Sequence, residues 1–438
     1  MKVLKFGGTS VGSAQRIKNV ADLIANRGKN IVVLSAMSGT TNSLVEISDY
    51  LYKRNIEGAK EVINALENKY RAVIEELFET EEFKMLAQNE IRDCFNYIRS
   101  FSKDIFTLFE EKEILSRGEI MSVALMYHYL REKHVDVAML PALEFMKTDK
   151  NNEPDTQYIK QKLETLLERN ADASLYLTHG YICRNAYGEI DNLRRGGSDL
   201  TASVIGAALG AEEIEIWTDI DGMHNNDPRF VEGTKPVDEL HFEEAAELAY
   251  FGAKILHPTC VLPAKLNNIP VRLLNTMDPE ARGTVIYNTL PSRRIKAVAA
   301  KDDITAIKIK SSRMLLAYGF LRKVFEIFET HKTSIDMIAT SEVGVSVTVD
   351  STKGLDDIIN DLKKFGTVTI DTDMVIICVV GDLEWHNTGF ETRAMEALKD
   401  IPVRMISYGG SNYNISFLVS KDDKVKALNA LSDKLFKN

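Results

Sequence analysis

The sequence has few cysteines and no long apolar run. Cys94, Cys183, Cys260 and Cys378 lie far apart and form no Cys-x-x-Cys pair, so neither a zinc site nor a disulfide framework is expected. No apolar run approaches the roughly 18 residues that span a bilayer, and the N-terminal MKVLKFGGTS becomes glycine-rich too early for a signal peptide. We therefore expect a soluble protein in the reducing environment of the cytoplasm.

An excess of basic residues is also absent. The 438 residues include 54 Lys and Arg against 64 Asp and Glu, for a formal net charge of −10. This acidic balance argues against nucleic acid or an anionic membrane surface as a partner. An anionic substrate would therefore need local lysines and arginines to hold it. The length suggests two or three domains, and the hydrophobic content of 45% is sufficient for their cores.

Residues 1–290 alternate short apolar strands with helical segments. The strand-like segments lie at residues 2–6, 31–36, 136–140, 174–182, 213–219 and 271–275. This alternation is typical of an open, mainly parallel α/β sheet between helices. The highly charged segment 56–112 has helical periodicity, and we expect it to form two solvated helices packed on the sheet. A linker with a proline and a basic pair, residues 287–294, ends this part.

After the linker, the pattern changes to two copies of βαββα. We assign residues 298–370 to the first copy and residues 371–438 to the second, and each has a Gly-Phe pair at a helix start, Gly319-Phe320 and Gly389-Phe390. Such self-similarity predicts two small tandem α+β modules. Their size suits ligand sensing or dimerisation better than catalysis.

Two turns of small residues follow strands near the N-terminus. Lys5-Phe6-Gly7-Gly8 combines a lysine with glycines that let a phosphate approach the backbone. It is neither a Walker A loop nor a dinucleotide fingerprint, so a turn without a ligand is equally plausible. Residues 35–42 (SAMSGTTN) place hydroxyl groups at a sheet edge where α/β folds bind ligands. Helix capping is the competing interpretation of these hydroxyls.

Two further motifs begin apparent helices. Ser116-Arg117-Gly118-Glu119 has the Ser-x-x-Glu spacing of a capping box, and capping alone would explain it. Residues 194–199 (RRGGSD) combine two arginines, two glycines and a capping pair, Ser198 and Asp199, into a compact anion site. Capping does not explain the arginines, whose fork of donors matches a carboxylate.

Polar residues lie at the end of the strand-like segment 213–219 and in the loop after it. Thr218 and Asp219 lead into a loop that contains NDPR (226–229), and FGAKILHP (251–258) places Lys254 near a helix end, where the helix dipole would also favour a cation. His257 fits a structural role better than a catalytic one. Neither a nucleophile elbow nor a His-Glu-x-x-His motif occurs. Lysines, an arginine–glycine loop, an aspartate and glycine-rich turns are typical of phosphoryl transfer, which depends on positioning and charge neutralisation.

In combination, these motifs resemble the aspartate kinases (aspartokinases), which have an amino acid kinase fold followed by two ACT modules. The matching blocks are KFGGTSV, SGTTN, SRGE, RRGGSDLTA, WTDIDG, NDPR and FGAKILHP, and residues 314–343 are similar to the lysine-sensitive subgroup. The resemblance implies ATP-dependent phosphorylation of the side-chain carboxylate of L-aspartate to 4-phospho-L-aspartate. That reaction is the first step of lysine, threonine and methionine biosynthesis.

The resemblance also implies roles for individual residues. It assigns catalysis to Lys5, Asp199 and Lys254, and aspartate binding to Thr41, Glu119 and Arg195, with Arg195 at the α-carboxylate and Glu119 at the amino group. It assigns ATP binding to Lys5, Phe6, Gly7, Gly8, Thr218, Asp219, His224, Arg229, Lys254 and Ile255. Mg²⁺ is expected to bind mainly through the phosphates of ATP, without assigned protein ligands.

For regulation, the resemblance implies that the ACT modules bind lysine as an inhibitor. The expected effector residues are Met314, Phe320, Leu321, Asp336, Ser341 and Glu342. A carboxylate such as Asp336 suits an ammonium group, although core packing and helix capping could also explain this set. The ACT modules are further expected to form at least a homodimer.

The chain departs from the pattern of the resembled family at several positions. Asp191, Asn192 and Arg194 occur where the family commonly reads TTLG before RGGSD, and His224 replaces a common tyrosine. These changes could alter the affinity for aspartate and for the nucleotide. Two alternatives remain open: a kinase that acts on glutamate or acetylglutamate, and a non-catalytic amino-acid sensor built on a decayed kinase.

Overall fold

The structure is a computed structural model that describes residues 1–25, 27–103, 105–193, 196–252, 256, 260–289, 294–311 and 318–437. The chain forms two compact units. The first comprises Met1–Met223 and Ile255–Asn288, and the second comprises His224–Lys254 and Thr289–Asn438.

The strands are β1 (Val3–Phe6), β2 (Asn30–Leu34), β3 (Val137–Leu140), β4 (Leu175–His179), β5 (Ile182–Arg184), β6 (Ile190–Asn192), β7 (Ile214–Thr218), β8 (Glu239–His241), β9 (Val271–Asn275), β10 (Thr284–Tyr287), β11 (Ile295–Lys310), β12 (Ile338–Ser341), β13 (Gly344–Val349), β14 (Thr367–Gly381), β15 (Met405–Tyr408) and β16 (Asn414–Ser420).

The helices are α1 (Ala14–Ala25), α2 (Thr40–Tyr52), α3 (Ile56–Leu77), α4 (Glu81–Ser100), α5 (Leu108–Glu132), α6 (Ala142–Phe145), α7 (Thr156–Arg169), α8 (Gly197–Leu209), α9 (Phe242–Tyr250), α10 (Leu262–Leu266), α11 (Phe320–Thr330), α12 (Leu355–Lys363), α13 (Phe390–Ala397) and α14 (Lys424–Phe436). No helix in the described ranges is both long and apolar enough to cross a membrane.

The first unit contains an open sheet in which the strands run in the order β3-β4-β2-β1-β7-β9-β10. Neighbouring strands are parallel except for β10, which is antiparallel to β9. Strands β1, β2 and β4 are buried along their whole length, as expected for parallel strands that are covered on both faces. The predicted α/β sheet is therefore confirmed, and the carboxyl ends of β1, β2, β4 and β7 lie at one edge.

The charged segment after α2 forms two long helices, as predicted. Their apolar faces join the core of the first unit, where Tyr70 of α3 packs edge-on against Phe95 of α4 with ring centroids 6.0 Å apart. The charged residues occupy the opposite faces. The segment is therefore an amphipathic helix pair, but it packs on the helices α1, α2 and α5 and not, as expected, directly on the sheet.

The expected helix start at Ser116 is wrong. Helix α5 begins at Leu108, and Thr107 and Glu110 form the reciprocal capping box. Ser116 lies inside the helix and donates its hydroxyl to the carbonyl of Glu113 at 2.7 Å. The same spacing of Thr or Ser and Glu occurs twice in this stretch, and the upstream copy is the one that caps the helix.

The second unit contains a sheet with the order β12-β13-β11-β14-β16-β15. Its two longest strands, β11 and β14, are antiparallel to each other, and both run through the two halves of the sheet. Residues 304–310 of β11 belong with β13 and α11, whereas residues 295–301 pair with the part of β14 that adjoins β16. The two βαββα patterns thus exchange strands, and the predicted limits at 298 and 370 fall inside β11 and β14.

Each half of this sheet has its own apolar core. One core lies under α11 and α12, and the other lies under α13 and α14. The predicted Gly-Phe helix starts are confirmed, because Gly319 and Gly389 precede the helices with φ angles of 80° and 96°. Glycine adopts this left-handed conformation without a steric penalty, and the following Phe320 and Phe390 are buried.

We predict that Phe417→Ala destabilises the second unit strongly. Phe417 is fully buried in β16, and truncation of a buried phenylalanine costs about 3–5 kcal/mol because it leaves a cavity. Urea denaturation followed by circular dichroism measures the loss. Trp385→Ala is the control, since this side chain is 79% exposed, and it should change the free energy of unfolding by less than about 0.5 kcal/mol. Equal effects of the two variants would contradict the packing described here.

Candidate active site

A cavity of about 900 Å³ opens in the first unit at the carboxyl ends of the parallel strands. This is the edge at which open α/β sheets bind ligands. The loops after β1 and β2, the first turns of α5, strand β6 and the start of α8 form its wall. Its lining includes the following predicted site residues: Lys5, Gly8, Thr41, Glu119 and Asp199.

The loops after β1 and β2 contact each other closely. The Ser38 N–H donates a hydrogen bond to the Gly8 carbonyl at 3.0 Å. A Cβ atom on Gly8 would lie 2.6 Å from the carbonyl oxygen of Ala36, so a side chain at this position would push the loops apart. The glycine therefore keeps both loops at one cavity.

A buried ion pair joins β1 to α8. The Nζ atom of Lys5 lies 2.6 Å from Oδ1 of Asp199, and each residue is only 8% exposed. Gly196 is the N-cap of α8, and no side chain caps the helix, so the interpretation of Ser198 and Asp199 as a capping pair is wrong. Asp199 instead orients the lysine ammonium, since a buried charge needs a partner of opposite sign.

Glu119 of α5 presents an unsatisfied carboxyl oxygen at the cavity. Its Oε1 accepts a hydrogen bond from the Ala36 N–H at 3.2 Å, whereas Oε2 is buried and has no hydrogen-bond partner among the described residues. Burial raises the pKa of Glu119 to about 8, because the charged form loses hydration. An ammonium group of a ligand would supply the missing donor and stabilise the carboxylate.

The hydroxyls after β2 do not cap α2. Its N-cap is Gly39, with a φ angle of 80° and no side-chain cap. The capping explanation for this motif is therefore wrong, and Thr41 and Asn42 line the cavity. Thr40 is buried and hydrogen bonds with the Tyr70 hydroxyl at 3.1 Å.

The predicted nucleotide residues of the first unit differ in what they can offer a ligand. The ring of Phe6 is buried and stacks on Trp217 with a centroid distance of 5.7 Å, so only its backbone could contact a nucleotide. The Gly7 N–H donates to the Trp217 carbonyl at 3.1 Å. Thr218 is the last residue of β7 and Asp219 follows it, next to the end of β1. Asp219 is exposed there.

Several predicted residues are not among the described residues of the cavity wall. Arg195, Lys254, Ile255 and Met314 are outside the described residues. His224 and Arg229 belong to the second unit. There, the Arg229 guanidinium is held by Asp227, with Nη2 to Oδ2 at 2.6 Å, and Nδ1 of His224 lies 3.0 Å from the Thr234 hydroxyl.

The predicted effector residues of the second unit centre on Asp336, whose side chain is completely buried. Its Oδ1 accepts hydrogen bonds from Lys301 Nζ at 2.7 Å and from the Tyr250 hydroxyl at 2.8 Å. Its Oδ2 is buried and has no hydrogen-bond partner among the described residues. Lys301 also contacts Asp350 at 2.9 Å. Burial, followed by the bond to Asp336, raises the pKa of Tyr250 to about 12.

The other predicted effector residues vary in exposure. Phe320 packs in the core below α11, so its side chain could not contact an effector. Leu321 is partly exposed, and Ser341 and Glu342 are exposed at the end of β12.

Comparison with known proteins gives the family. Residues 1–275 match the amino acid kinase family, and residues 377–435 match the ACT domain. Aspartokinase 1, chloroplastic, of Arabidopsis thaliana is 34% identical over all of this chain and 80% of its own length. Lysine-sensitive aspartokinase 3 of Escherichia coli is 32% identical over 99% of both chains.

The chain belongs to the amino acid kinase family, among the aspartokinases. A solved structure of E. coli aspartokinase III in complex with aspartate and ADP matches the whole chain with a TM-score of 0.85 and 32% identity. The predicted family and fold class are thus confirmed.

Three residues of this aspartokinase chain that contact the candidate sites were not evident from the sequence. Lys301 and Tyr250 bind Asp336, and Lys112 of α5 binds Asp191 at the cavity wall, with Nζ to Oδ1 at 2.7 Å. For Lys301, the nearest signal in the sequence is its position directly after the apolar residues 297–300. For Lys112, it is the unusual Asp191. Neither signal identifies a partner, since the partners come from distant segments.

We predict that Glu119→Gln changes how stability depends on pH. The folded chain keeps the Glu119 proton up to about pH 8, whereas the unfolded chain loses it near pH 4.5. The unfolded state therefore binds fewer protons between these values, and the free energy of unfolding falls as pH rises through this window. Glutamine cannot ionise and does not contribute to this fall. As pH rises from 5 to 8, the free energy of unfolding of ligand-free Glu119→Gln should therefore increase by about 2–4 kcal/mol relative to that of the unsubstituted chain.

Denaturant unfolding at several pH values measures this difference. The exposed Glu76→Gln of α3 is the control, and its stability should follow that of the unsubstituted chain at every pH. A Glu119→Gln curve parallel to the control would show that the buried carboxyl does not retain its proton.

Proposed function

We propose that the chain transfers the terminal phosphoryl group of ATP to the side-chain carboxylate of L-aspartate, with 4-phospho-L-aspartate and ADP as products. The observation that carries this proposal is the placement of Lys5–Asp199 and the unsatisfied oxygen of Glu119 in one cavity. The cavity thus offers a cation to a phosphoryl group and an acceptor to an amino group. The reaction would open the biosynthesis of lysine, threonine and methionine.

The main obstacle to this reaction is the electrostatic repulsion between its two anionic substrates. A carboxylate is already nucleophilic and needs no general base, but it must approach an anionic phosphate. Two like charges about 4 Å apart repel by about 4 kcal/mol at an effective dielectric constant near 20. The Lys5 ammonium, held by Asp199, is oriented before the substrates bind, so it can offset this repulsion without further reorganisation. Lys254 is expected to assist from the nucleotide side.

The amino-acid substrate would bind through its ammonium group and its α-carboxylate. Oε2 of Glu119 would accept a hydrogen bond from the ammonium, Thr41 would contact the substrate through its hydroxyl, and Arg195 is expected at the α-carboxylate. The known structure of E. coli aspartokinase III contains aspartate and ADP, which supports an amino acid and a nucleotide as the ligand pair.

We assign the nucleotide to the neighbouring strand ends. Gly7, Gly8, Thr218 and Asp219, all in the first unit, would contact ATP. The described residues contain no cluster of three potential metal ligands, so we propose that Mg²⁺ enters on the phosphates of ATP. When bound, the ion would neutralise charge that develops on the transferred group.

We predict that Lys5→Ala lowers kcat at least about a hundredfold, because one preorganised charge donor is removed from the transition state. Acyl phosphate trapped as hydroxamate after incubation with ATP, Mg²⁺ and aspartate measures the rate. Lys60→Ala, at an exposed lysine of α3, is the control and should retain full activity.

The same assay separates the alternatives. Glutamate and acetylglutamate in place of aspartate should give little product. Product from one of these and not from aspartate would replace the proposed substrate. Binding of amino acid without turnover of any substrate would instead indicate the sensor.

Lysine is the proposed inhibitor. The buried Asp336 already accepts one ammonium, that of Lys301, and retains a free oxygen for another. Asp336 lies two residues before β12, and Ser341 and Glu342 are exposed at the far end of that strand. An extended segment of this length spans up to about 17 Å, which is longer than one lysine molecule. We therefore propose that two chains complete the effector site in a cytoplasmic homodimer or larger assembly of ACT modules.

We predict that Asp336→Asn abolishes inhibition by lysine, because the neutral amide no longer attracts an ammonium, and leaves activity without lysine within about twofold. Asp350→Asn is the matched control, since Asp350 contacts the same Lys301 but is 42% exposed. It should keep the inhibition. Titration of the hydroxamate assay with lysine, threonine and methionine measures both variants. A flat response of the unsubstituted chain to lysine would reject the effector.

A further inference from the structure

A second ion pair in the cavity has no role in the reaction described above. Lys112 lies in the second turn of α5 and Asp191 in β6, and both line the cavity. The distance from Nζ to Oδ1 is 2.7 Å, and the side chains are 25% and 11% exposed, respectively. The Asn192 N–H donates to the same Asp191 oxygen at 2.7 Å. The Lys112 ammonium is thus held at the cavity wall.

The charge of the substrate leaves one group of the amino acid in need of a cation. L-Aspartate has two carboxylates and one ammonium. The reacting carboxylate must face the phosphoryl group beside Lys5, and the ammonium suits Glu119. Among the described lining residues, the lysines are Lys5 and Lys112. Lys5, paired with Asp199, is assigned to the phosphoryl group, and the Lys112 ammonium has N–H donors beyond the one that Asp191 accepts.

We propose that Lys112 is a specificity-determining residue that binds the α-carboxylate of the amino-acid substrate, while Asp191 holds its ammonium at the cavity wall. This inference rests on the proposed function. Arg195, expected at the same carboxylate, does not compete with Lys112, because a carboxylate accepts several hydrogen bonds. The pairing also explains how a substrate anion can bind beside Asp191, whose unpaired charge would repel it.

The test compares aspartate with its α-amide, which retains the reacting carboxylate and lacks the other one. In Lys112→Met, the KM for aspartate should rise about tenfold, because a hydrogen bond between charged groups is lost. The kcat and the KM for ATP should stay within about twofold, as expected for loss of binding that is equal in ground and transition states. The KM for the α-amide should not change by more than about twofold.

Two further variants show whether Lys112 contacts the substrate directly or only neutralises Asp191. Lys112→Arg keeps the charge and should restore the KM for aspartate to within about threefold of the unsubstituted chain. Lys112→Met/Asp191→Asn should keep a KM for aspartate at least about threefold above that of Asp191→Asn alone, because Lys112 contacts the substrate directly. Recovery of this KM would mean that Lys112 only neutralises Asp191, and would overturn the proposal.

Other outcomes also overturn the proposal. These are an unchanged KM for aspartate in Lys112→Met, and an equal rise for aspartate and the α-amide. Should Lys112→Met fail to fold, Lys112→Gln carries the same expectations. Lys60→Met is the control for loss of a lysine outside the cavity. Failure of the unsubstituted chain to form hydroxamate from aspartate would refute the proposed function itself, and is distinguishable from all these results.

Discussion

The ion pair between Lys5 and Asp199 is the contact on which the candidate site depends. Two charges taken out of water are tolerated only if they face each other, so the end of β1 and the first turn of α8 have to meet. Parallel strands bring this about, because their carboxyl ends lie at one edge of the sheet. Gly8 then allows the neighbouring loop to approach, and the cavity forms around a lysine that is already oriented.

The electrostatics of the cavity contrast with those of the chain. The formal net charge is −10, and the cavity has to admit an anionic amino acid beside a nucleotide. Each charged lysine in its described lining is paired with an aspartate, Lys5 with Asp199 and Lys112 with Asp191. Glu119 avoids a further negative charge by retaining its proton until a cationic donor arrives. The two lysines are thus held in place before the substrates bind, which limits the cost of bringing anions together.

In the second unit, Asp336 is likewise a buried charge that is paired with a cation. This carboxylate is completely buried, and an ammonium and a phenol from the same unit share one of its oxygens. Its position depends on the exchange of strands between the halves of the sheet, since Lys301 lies on β11 at the point where that strand passes from one half to the other. A ligand ammonium at Asp336 would therefore meet Lys301 and Tyr250 together.

The local features of the chain were evident from neighbouring residues. Strand periodicity indicated the open sheet, Gly319 and Gly389 marked helix starts, and the motifs selected Lys5 and Asp199, to which the family resemblance added Glu119. Folding decided the rest. Only the structure shows that Thr107 caps α5 in place of Ser116 and that β11 serves both halves of its sheet. It also supplies the partners of Asp191 and Asp336. Capping patterns recur along a chain, and ion pairs between distant segments depend on how strands and helices align, so short stretches of sequence do not specify them.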